Sequence, residues 1–201
     1  MISIEHINTN AMYILIKSSQ THVWLHGFSY GNPTNRMWKL LTGELGDFAG
    51  LLPRDSPIEI LNTLPRDFQI GLTDVALIPG SDAAEFSKSV MQTWIPNFYL
   101  RLRAHVERVR ESEKFETYQG PAICAFAGKR QFSILYPRAE PKNVPFGQLP
   151  DSIPLPPGWP FPRAVCQIWI LPSSSGRAAM THEQRYGPYL ALAKAVKSTN
   201  G

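Results

Sequence analysis

Val165–Leu171 (VCQIWIL) is a largely apolar run, of the kind that forms a strand buried on both faces. Met12–Ile16, Val75–Ile78 and Ile123–Phe126 are similar, whereas Gln131–Tyr136 is either a strand or the opening of a helix. Runs that do not alternate with polar residues are typical of a parallel sheet covered by helices. We therefore expect an α/β fold, a three-layer sandwich with a central, mainly parallel four-stranded sheet flanked by helices.

Apolar residues recur at helical spacing in three segments outside these runs, which we expect to be helices: Asn35–Leu41, Phe98–Val109 and Tyr189–Val196. The segment Pro137–Pro162 carries half of the 18 prolines, so we expect no regular structure in it. It is either a docking motif of polyproline type or a surface excursion of the same domain, and its position between two predicted core strands favours the excursion. We expect one domain over residues 1–201.

Composition limits the class of protein. Hydrophobic residues make up 43% and charged residues 18% of the 201 residues, as in globular proteins, and no apolar run reaches the roughly 20 residues that span a bilayer. The first residues lack the pattern of a secretory signal, so we expect an intracellular protein that does not bind membranes. Cys124 and Cys166 lie in apolar runs, and we expect both to be reduced core residues.

The loop after the last predicted strand, Pro172–Arg177 (PSSSGR), carries the strongest chemical signal. Ligands of open α/β sheets bind beyond the carboxyl ends of the strands, where this loop follows Leu171. Serine hydroxyls and backbone amides suit phosphate contacts, and an arginine on a stiff loop suits insertion into a base stack. The alternative is a polar turn that begins a helix. The formal net charge of +4 favours a polyanionic partner without proving one.

This loop resembles the Pro-Ser-Ser-Ser-Ala-Arg loop of the mismatch-specific uracil/thymine branch of the uracil-DNA glycosylase superfamily. Other segments are similar to that branch and follow in the same order along the chain: Gly27–Trp38 (GFSYGNPTNRMW), Gly71–Val75 (GLTDV) with Pro79–Ser87 beyond it, Ile123–Lys129 (ICAFAGK) and Phe146–Pro150 (FGQLP). Each motif is weak alone, but five in order are hard to obtain by chance.

The resemblance implies a monofunctional DNA glycosylase of base excision repair. Such an enzyme flips a uracil- or thymine-type mismatched or damaged base out of double-stranded DNA and hydrolyses its N-glycosidic bond with water alone. It implies no cofactor, and we expect no metal and a monomer. The substrate implies the nucleus in a eukaryote and the cytoplasm otherwise.

The resemblance also assigns residues to DNA contacts. Arg177 fills the gap that the flipped nucleotide leaves, while the other expected DNA contacts are Ser173, Ser174, Ser175, Gly176 and Lys129. Tyr30 is the expected aromatic platform for the flipped base, with Phe28 beside it, although Tyr30 is otherwise a core aromatic. Asn35 either reads a base edge or caps the following helix, and the cap is favoured.

The catalytic residues are where the chain departs from the family. The branch ends its first strand in Gly-hydrophobic-Asn-Pro, and the position of that catalytic Asn is Ser18 here. A serine hydroxyl can hold a water but accepts a proton poorly. Asp74 follows a Gly-x-Thr turn and is either the replacement for the lost group or a structural turn residue.

Three explanations of Ser18 remain open. Asp74 activates the water, or the protein extrudes bases without cleaving them, or Met1–Lys17 is not the start of the working protein. A rival class is an α/β enzyme that holds a small phosphorylated molecule with Ser173–Gly176, but the sequence has no G-x-G-x-x-G fingerprint and no P-loop.

Overall fold

The computed structural model describes residues 13–17, 35–56, 60, 62–76, 78, 86–111 and 115–199. Its helices are α1 (Met37–Leu41), α2 (Leu64–Asp67), α3 (Lys88–Thr93), α4 (Ile95–Arg110), α5 (Lys129–Ser133) and α6 (His182–Thr199), with a 3₁₀ turn at Glu44–Gly46. Its strands are β1 (Tyr13–Lys17), β2 (Ile70–Asp74), β3 (Ile123–Ala127), β4 (Gly147–Gln148) and β5 (Gln167–Leu171).

The sheet is mixed, with the strand order β2-β1-β3-β5-β4. The pairs β1·β2, β1·β3 and β3·β5 are parallel, and β4 pairs antiparallel with β5. The predicted fold class, with a mainly parallel four-stranded sheet, is therefore wrong. β4 lies within Pro137–Pro162, so the expectation of no regular structure in that segment is also wrong. The sequence did not indicate β4 because Gly147–Gln148 is only two residues long and is not part of an apolar run.

The predicted strand at Val75–Ile78 is also wrong. The strand is Ile70–Asp74, and Gln69 before it has a positive φ of 57°. Because β2 lies at an end of the sheet, only its first residue is buried, so it does not need a continuous apolar run. The ambiguous run Gln131–Tyr136 opens in helix α5.

Two hydrophobic clusters cover the two faces of the sheet. Alternate residues of β3 and β5 enter one cluster with α4 and α5, including Cys124, Phe126, Ile168 and Ile170. The residues between them, Ile123, Ala125, Trp169 and Leu171, enter the other cluster with α1 and α6. This packing orders the two central strands firmly, and so it fixes the loops that follow them.

The proline-rich segment 137–162 contributes to the first cluster. Leu149, Ile153, Trp159 and Phe161 are all at most 9% exposed, so the segment covers one face of the sheet as well as running over the surface. The Trp159 ring makes edge contacts with those of Tyr99 and Phe161 at 5.9 Å between centroids.

Cys124 and Cys166 are buried free thiols in this cluster. Burial raises the pKa of the Cys124 thiol, and neighbouring Cys166 raises it further. In the part of the chain that the structure describes, no helix is long and apolar enough to cross a membrane.

Candidate functional site

Three of the predicted contact regions lie at one edge of the sheet. The strands β1, β2, β3 and β5 run parallel, so their carboxyl ends share an edge. Asp74 ends β2, Lys129 follows β3, and Ser173–Arg177 follows β5. With strands about 4.8 Å apart, three strand spacings place Asp74 roughly 14 Å from the beginning of the loop.

Arg185 of α6 fastens the loop from behind. Its Nη1 donates to the carbonyl oxygens of Ser173 at 3.1 Å and Ser175 at 2.7 Å, and its Nη2 donates to that of Ala178 at 2.7 Å. The side chain is buried, with the residue only 3% exposed. Burial lowers the pKa of the guanidinium, and the positive charge of Arg36 lowers it further. The loop carbonyls therefore satisfy a desolvated cation.

The start of α6 places Arg185 at the loop. Thr181 Oγ1 accepts the Gln184 amide at 3.2 Å, and Gln184 Oε1 accepts the Thr181 amide at 2.9 Å. This reciprocal pair is a capping box, which fixes where a helix begins. Four residues after Arg185, on the same face of the helix, the Tyr189 hydroxyl donates to the Pro172 carbonyl at 3.0 Å.

A second attachment comes from the segment before α1. The Arg36 amide donates to the Ser174 carbonyl at 2.9 Å, and Asn35 forms an isolated antiparallel bridge with Ser175. The carbonyls of Pro172, Ser173, Ser174 and Ser175 are thus all hydrogen-bonded. Such a loop holds one conformation without a ligand.

The serines hold the loop's own amides. Ser173 Oγ accepts the Ser175 amide, and Ser175 Oγ accepts the Arg177 amide, both at 3.3 Å. A hydroxyl that accepts a hydrogen bond still has its own hydrogen to donate, so both serines retain a donor for a phosphate oxygen. Ser174 is only 5% exposed, and its carbonyl accepts the hydrogen bond from the Arg36 amide.

Arg177 lies at the tip of the loop and is exposed. Within the described residues its side chain has no hydrogen bond or ion pair. Gly176 and Arg177 line a cavity of about 620 Å³ together with Asn35, Arg36, Lys39, Leu45 and His182. The loop therefore presents a free guanidinium beside a basic cavity.

Asn35 forms a local turn just before α1. Its Oδ1 accepts the Met37 amide at 2.9 Å, and the helix begins at Met37. The N-cap residue of α1 is Arg36, which makes no side-chain capping hydrogen bond, so the cap expected at Asn35 lies one residue further along the chain.

Arg101 of α4 binds the backbone of Asp74. Arg101 Nη2 donates to the Asp74 backbone carbonyl, and its Nη1 donates to Asn97 Oδ1. Burial lowers the pKa of the Arg101 guanidinium, and the Asp74 carboxylate acts in the opposite direction. A cation bound to the Asp74 backbone therefore lies close enough to the Asp74 carboxylate for the two charges to interact.

Lys129 is the first residue of α5, directly after Gly128, whose φ of 125° favours glycine. Its ammonium lies 4.4 Å from the centroid of the Phe146 ring, a cation–π contact between two exposed side chains. Lys129 thus lies between Asp74 and the loop along the edge.

Ser18, Phe28 and Tyr30 lie outside the described residues. Lys17, the residue before Ser18, ends β1 and is the register partner of Asp74. The proposed water-binding group and the aromatic platform therefore remain sequence predictions.

Sequence reasoning missed Arg185, Tyr189 and Arg101. A signal existed for the first two, because Thr181-x-x-Gln184 precedes an arginine and a tyrosine at helical i, i+4 spacing. Arg101 lay among several basic residues of α4, and no local pattern separated it from the exposed ones.

No protein-family model matches the chain. The family assignment thus rests on the ordered sequence segments alone. Within the described residues no group of three or more His, Cys, Asp or Glu side chains is placed to hold a metal ion.

Proposed function

We propose that the protein is a DNA glycosylase that flips a uracil- or thymine-type mismatched or damaged base out of duplex DNA and hydrolyses its N-glycosidic bond. The observation that carries the proposal is the exposed Arg177 on a loop whose carbonyls Arg185 holds, at the same edge of the sheet as Asp74. The order of the sequence motifs supports it.

A fixed loop suits base extrusion. Unstacking a base costs a few kcal/mol, which the protein has to supply from contacts made by the inserted group. Ordering a flexible side chain or loop at an interface costs about 0.5–1.5 kcal/mol for each long side chain. Because the Ser173 and Ser175 carbonyls are already bound by Arg185, the loop backbone is ordered in advance, and the cost that remains is that of ordering the Arg177 side chain.

The proposed hydrolysis follows from the position of Asp74. The bond between C1′ and the base nitrogen breaks, and its electron pair leaves with the base, which gives an oxocarbenium-like sugar. A water adds to C1′ and loses a proton to the Asp74 carboxylate. Arg101 holds the backbone of Asp74 and places a positive charge near its carboxylate. Ser18 is assigned to hold the water by hydrogen bonding.

The second candidate is a DNA-binding homologue that extrudes a base without cleavage. The serine at position 18 favours it, because a missing acid or base typically lowers the rate by 10²- to 10⁴-fold. Both candidates bind duplex DNA and both use Arg177, so only the chemical step separates them.

The test is a base-release assay with purified protein on duplexes containing G·U, G·T or hypoxanthine. Alkali then cleaves any abasic strand. Strand cleavage above a heat-inactivated control supports the glycosylase. Tight binding of the same duplexes without any cleavage supports the extruding homologue. Failure to bind duplex DNA at low salt removes both and favours the small-molecule rival.

The cellular setting follows from the substrate. We place the protein in the nucleus if the host is a eukaryote and in the cytoplasm otherwise, acting as a monomer on DNA. A fluorescent fusion that is excluded from the nucleus of a eukaryotic cell would contradict this placement.

A further inference from the structure

The cavity beside the loop has a basic lining. It measures about 620 Å³, and four of the residues that line it are basic: Arg36, Lys39, Arg177 and His182. Among the residues that the structure describes, none of those lining it is acidic. A concave surface with charges of one sign concentrates ions of the other sign.

Three of the basic side chains of this cavity have no partner in the part of the chain that the structure describes. Within the described residues the side chains of Arg36, Lys39 and Arg177 make no hydrogen bond and no ion pair. The Arg36 amide donates to the Ser174 carbonyl. This hydrogen bond holds the backbone of Arg36, and so it fixes the point from which the side chain extends. Arg36 also lies close enough to Arg185 to oppose its charge. Like charges held together favour an anion between or beside them.

The lining also limits the kind of anion. Within the described part of the chain, the lining has no aromatic ring on which a base could stack, and Leu45 is its one large apolar residue. A forked guanidinium and an ammonium match the oxygens of a phosphate. Asn35 adds a side-chain amide to the cavity lining, and Gly176 adds backbone that no side chain covers.

We propose that Arg36 and Lys39 form a subsite for one backbone phosphate of the DNA, next to the nucleotide at which Arg177 enters. The identity of the polymer rests on the proposed function, whereas the phosphate chemistry rests on the cavity. Arg177 leaves the cavity wall for the base stack, and Arg36 and Lys39 hold the backbone in register while it does so. Phosphate contacts of this kind position a protein without reading sequence.

The test compares two double variants with equal charge change. R36Q/K39Q removes the proposed contact, and R108Q/K194Q removes two exposed cations from α4 and α6. Arg108 lies near the C-terminal end of α4, and Lys194 is 12 residues along α6 from His182, which puts it roughly 18 Å from that residue at 1.5 Å per residue. Binding to an undamaged duplex is measured by anisotropy at several salt concentrations.

One lost phosphate contact should lower the slope of log K against log salt by about 0.9. For R36Q/K39Q we expect that decrease and about tenfold weaker binding near ~0.1 M salt, as for a lost charged hydrogen bond. The R108Q/K194Q slope should stay within about 0.3 of the parent protein. Equal slopes for the two double variants would overturn the subsite and leave the proposed function standing.

Other outcomes separate the two proposals. If the slopes behave as expected but no base is released, the subsite stands and the glycosylase falls. If the parent protein does not bind duplex DNA, both fall. Inorganic phosphate is added at matched ionic strength as a third arm. Displacement of DNA by phosphate from the parent protein and not from R36Q/K39Q, at concentrations where chloride does nothing, would support the phosphate subsite. Equal displacement from both proteins would overturn it.

Discussion

Arg185 Nη1 donates to the Ser175 carbonyl oxygen at 2.7 Å, and this buried contact joins the start of α6 to the loop that presents Arg177. The carbonyls of Ser173 and Ala178 complete the set of acceptors. A desolvated cation is stable there because backbone dipoles surround it. The same contacts fix the loop before any DNA is present.

Arg185→Gln should therefore destabilise the protein. A buried guanidinium with three carbonyl partners is lost, and those carbonyls lose their donors, at a cost of about 2–4 kcal/mol in the free energy of unfolding. Urea denaturation measures the change. Arg108→Gln, an exposed arginine, is the control and should stay within about 0.5 kcal/mol of the parent. An equal, small effect of both variants would mean that Arg185 does not hold the loop.

Arg177→Ala should leave stability almost unchanged, within about 0.5 kcal/mol, because the side chain is exposed. Base extrusion should suffer, since the variant has nothing to fill the gap in the stack. Fluorescence of 2-aminopurine placed beside a mismatch reports unstacking, and its increase on binding should be lost. Arg177→Lys serves as the charge-matched control. A full fluorescence increase with Arg177→Ala would exclude Arg177 as the inserted group.

Asp74→Asn tests the proposed proton acceptor. It preserves size and removes the carboxylate, so single-turnover base release should slow by about 10²- to 10⁴-fold while duplex binding stays nearly constant. Asp151→Asn, an exposed carboxylate outside the edge, is the matched control. Full activity of Asp74→Asn would remove Asp74 from the chemistry.

Arg101→Gln tests positioning through Asp74. Without the neighbouring cation, the charged carboxylate is less favoured, so it takes up a proton at higher pH. The acid limb of the pH–rate profile should therefore shift to higher pH. Arg101→Lys keeps a charge and should restore most of the parent profile. An unshifted profile with a uniformly lower rate would indicate a purely structural role of Arg101.

Some of the fold could be predicted from the sequence and some could not. The central strands β3 and β5 were predicted within two residues of their ends because both faces are buried and their apolar runs are continuous. β2 and β4 lie at the ends of the sheet, where such runs are not needed, and they account for the errors in strand position and number.

The site shows the same contrast. The loop Pro172–Arg177 was marked by its composition, whereas the cap expected at Asn35 was one residue out, because α1 begins at Met37 and its N-cap is Arg36. Arg185 binds the Ser175 carbonyl, 10 positions away in the sequence, and Arg101 binds the Asp74 carbonyl, 27 positions away. Contacts of that kind depend on how helices pack on the sheet, which no local pattern encodes.

The most direct test of the central claim is release of a base by the parent protein. Single-turnover incubation with G·U, G·T and hypoxanthine duplexes, followed by alkali, should produce a cleaved strand on at least one of them, and Asp74→Asn should slow that reaction by at least about 100-fold. Absence of cleavage on all three, with protein that is folded and binds the duplexes, would contradict the claim that this protein breaks the N-glycosidic bond.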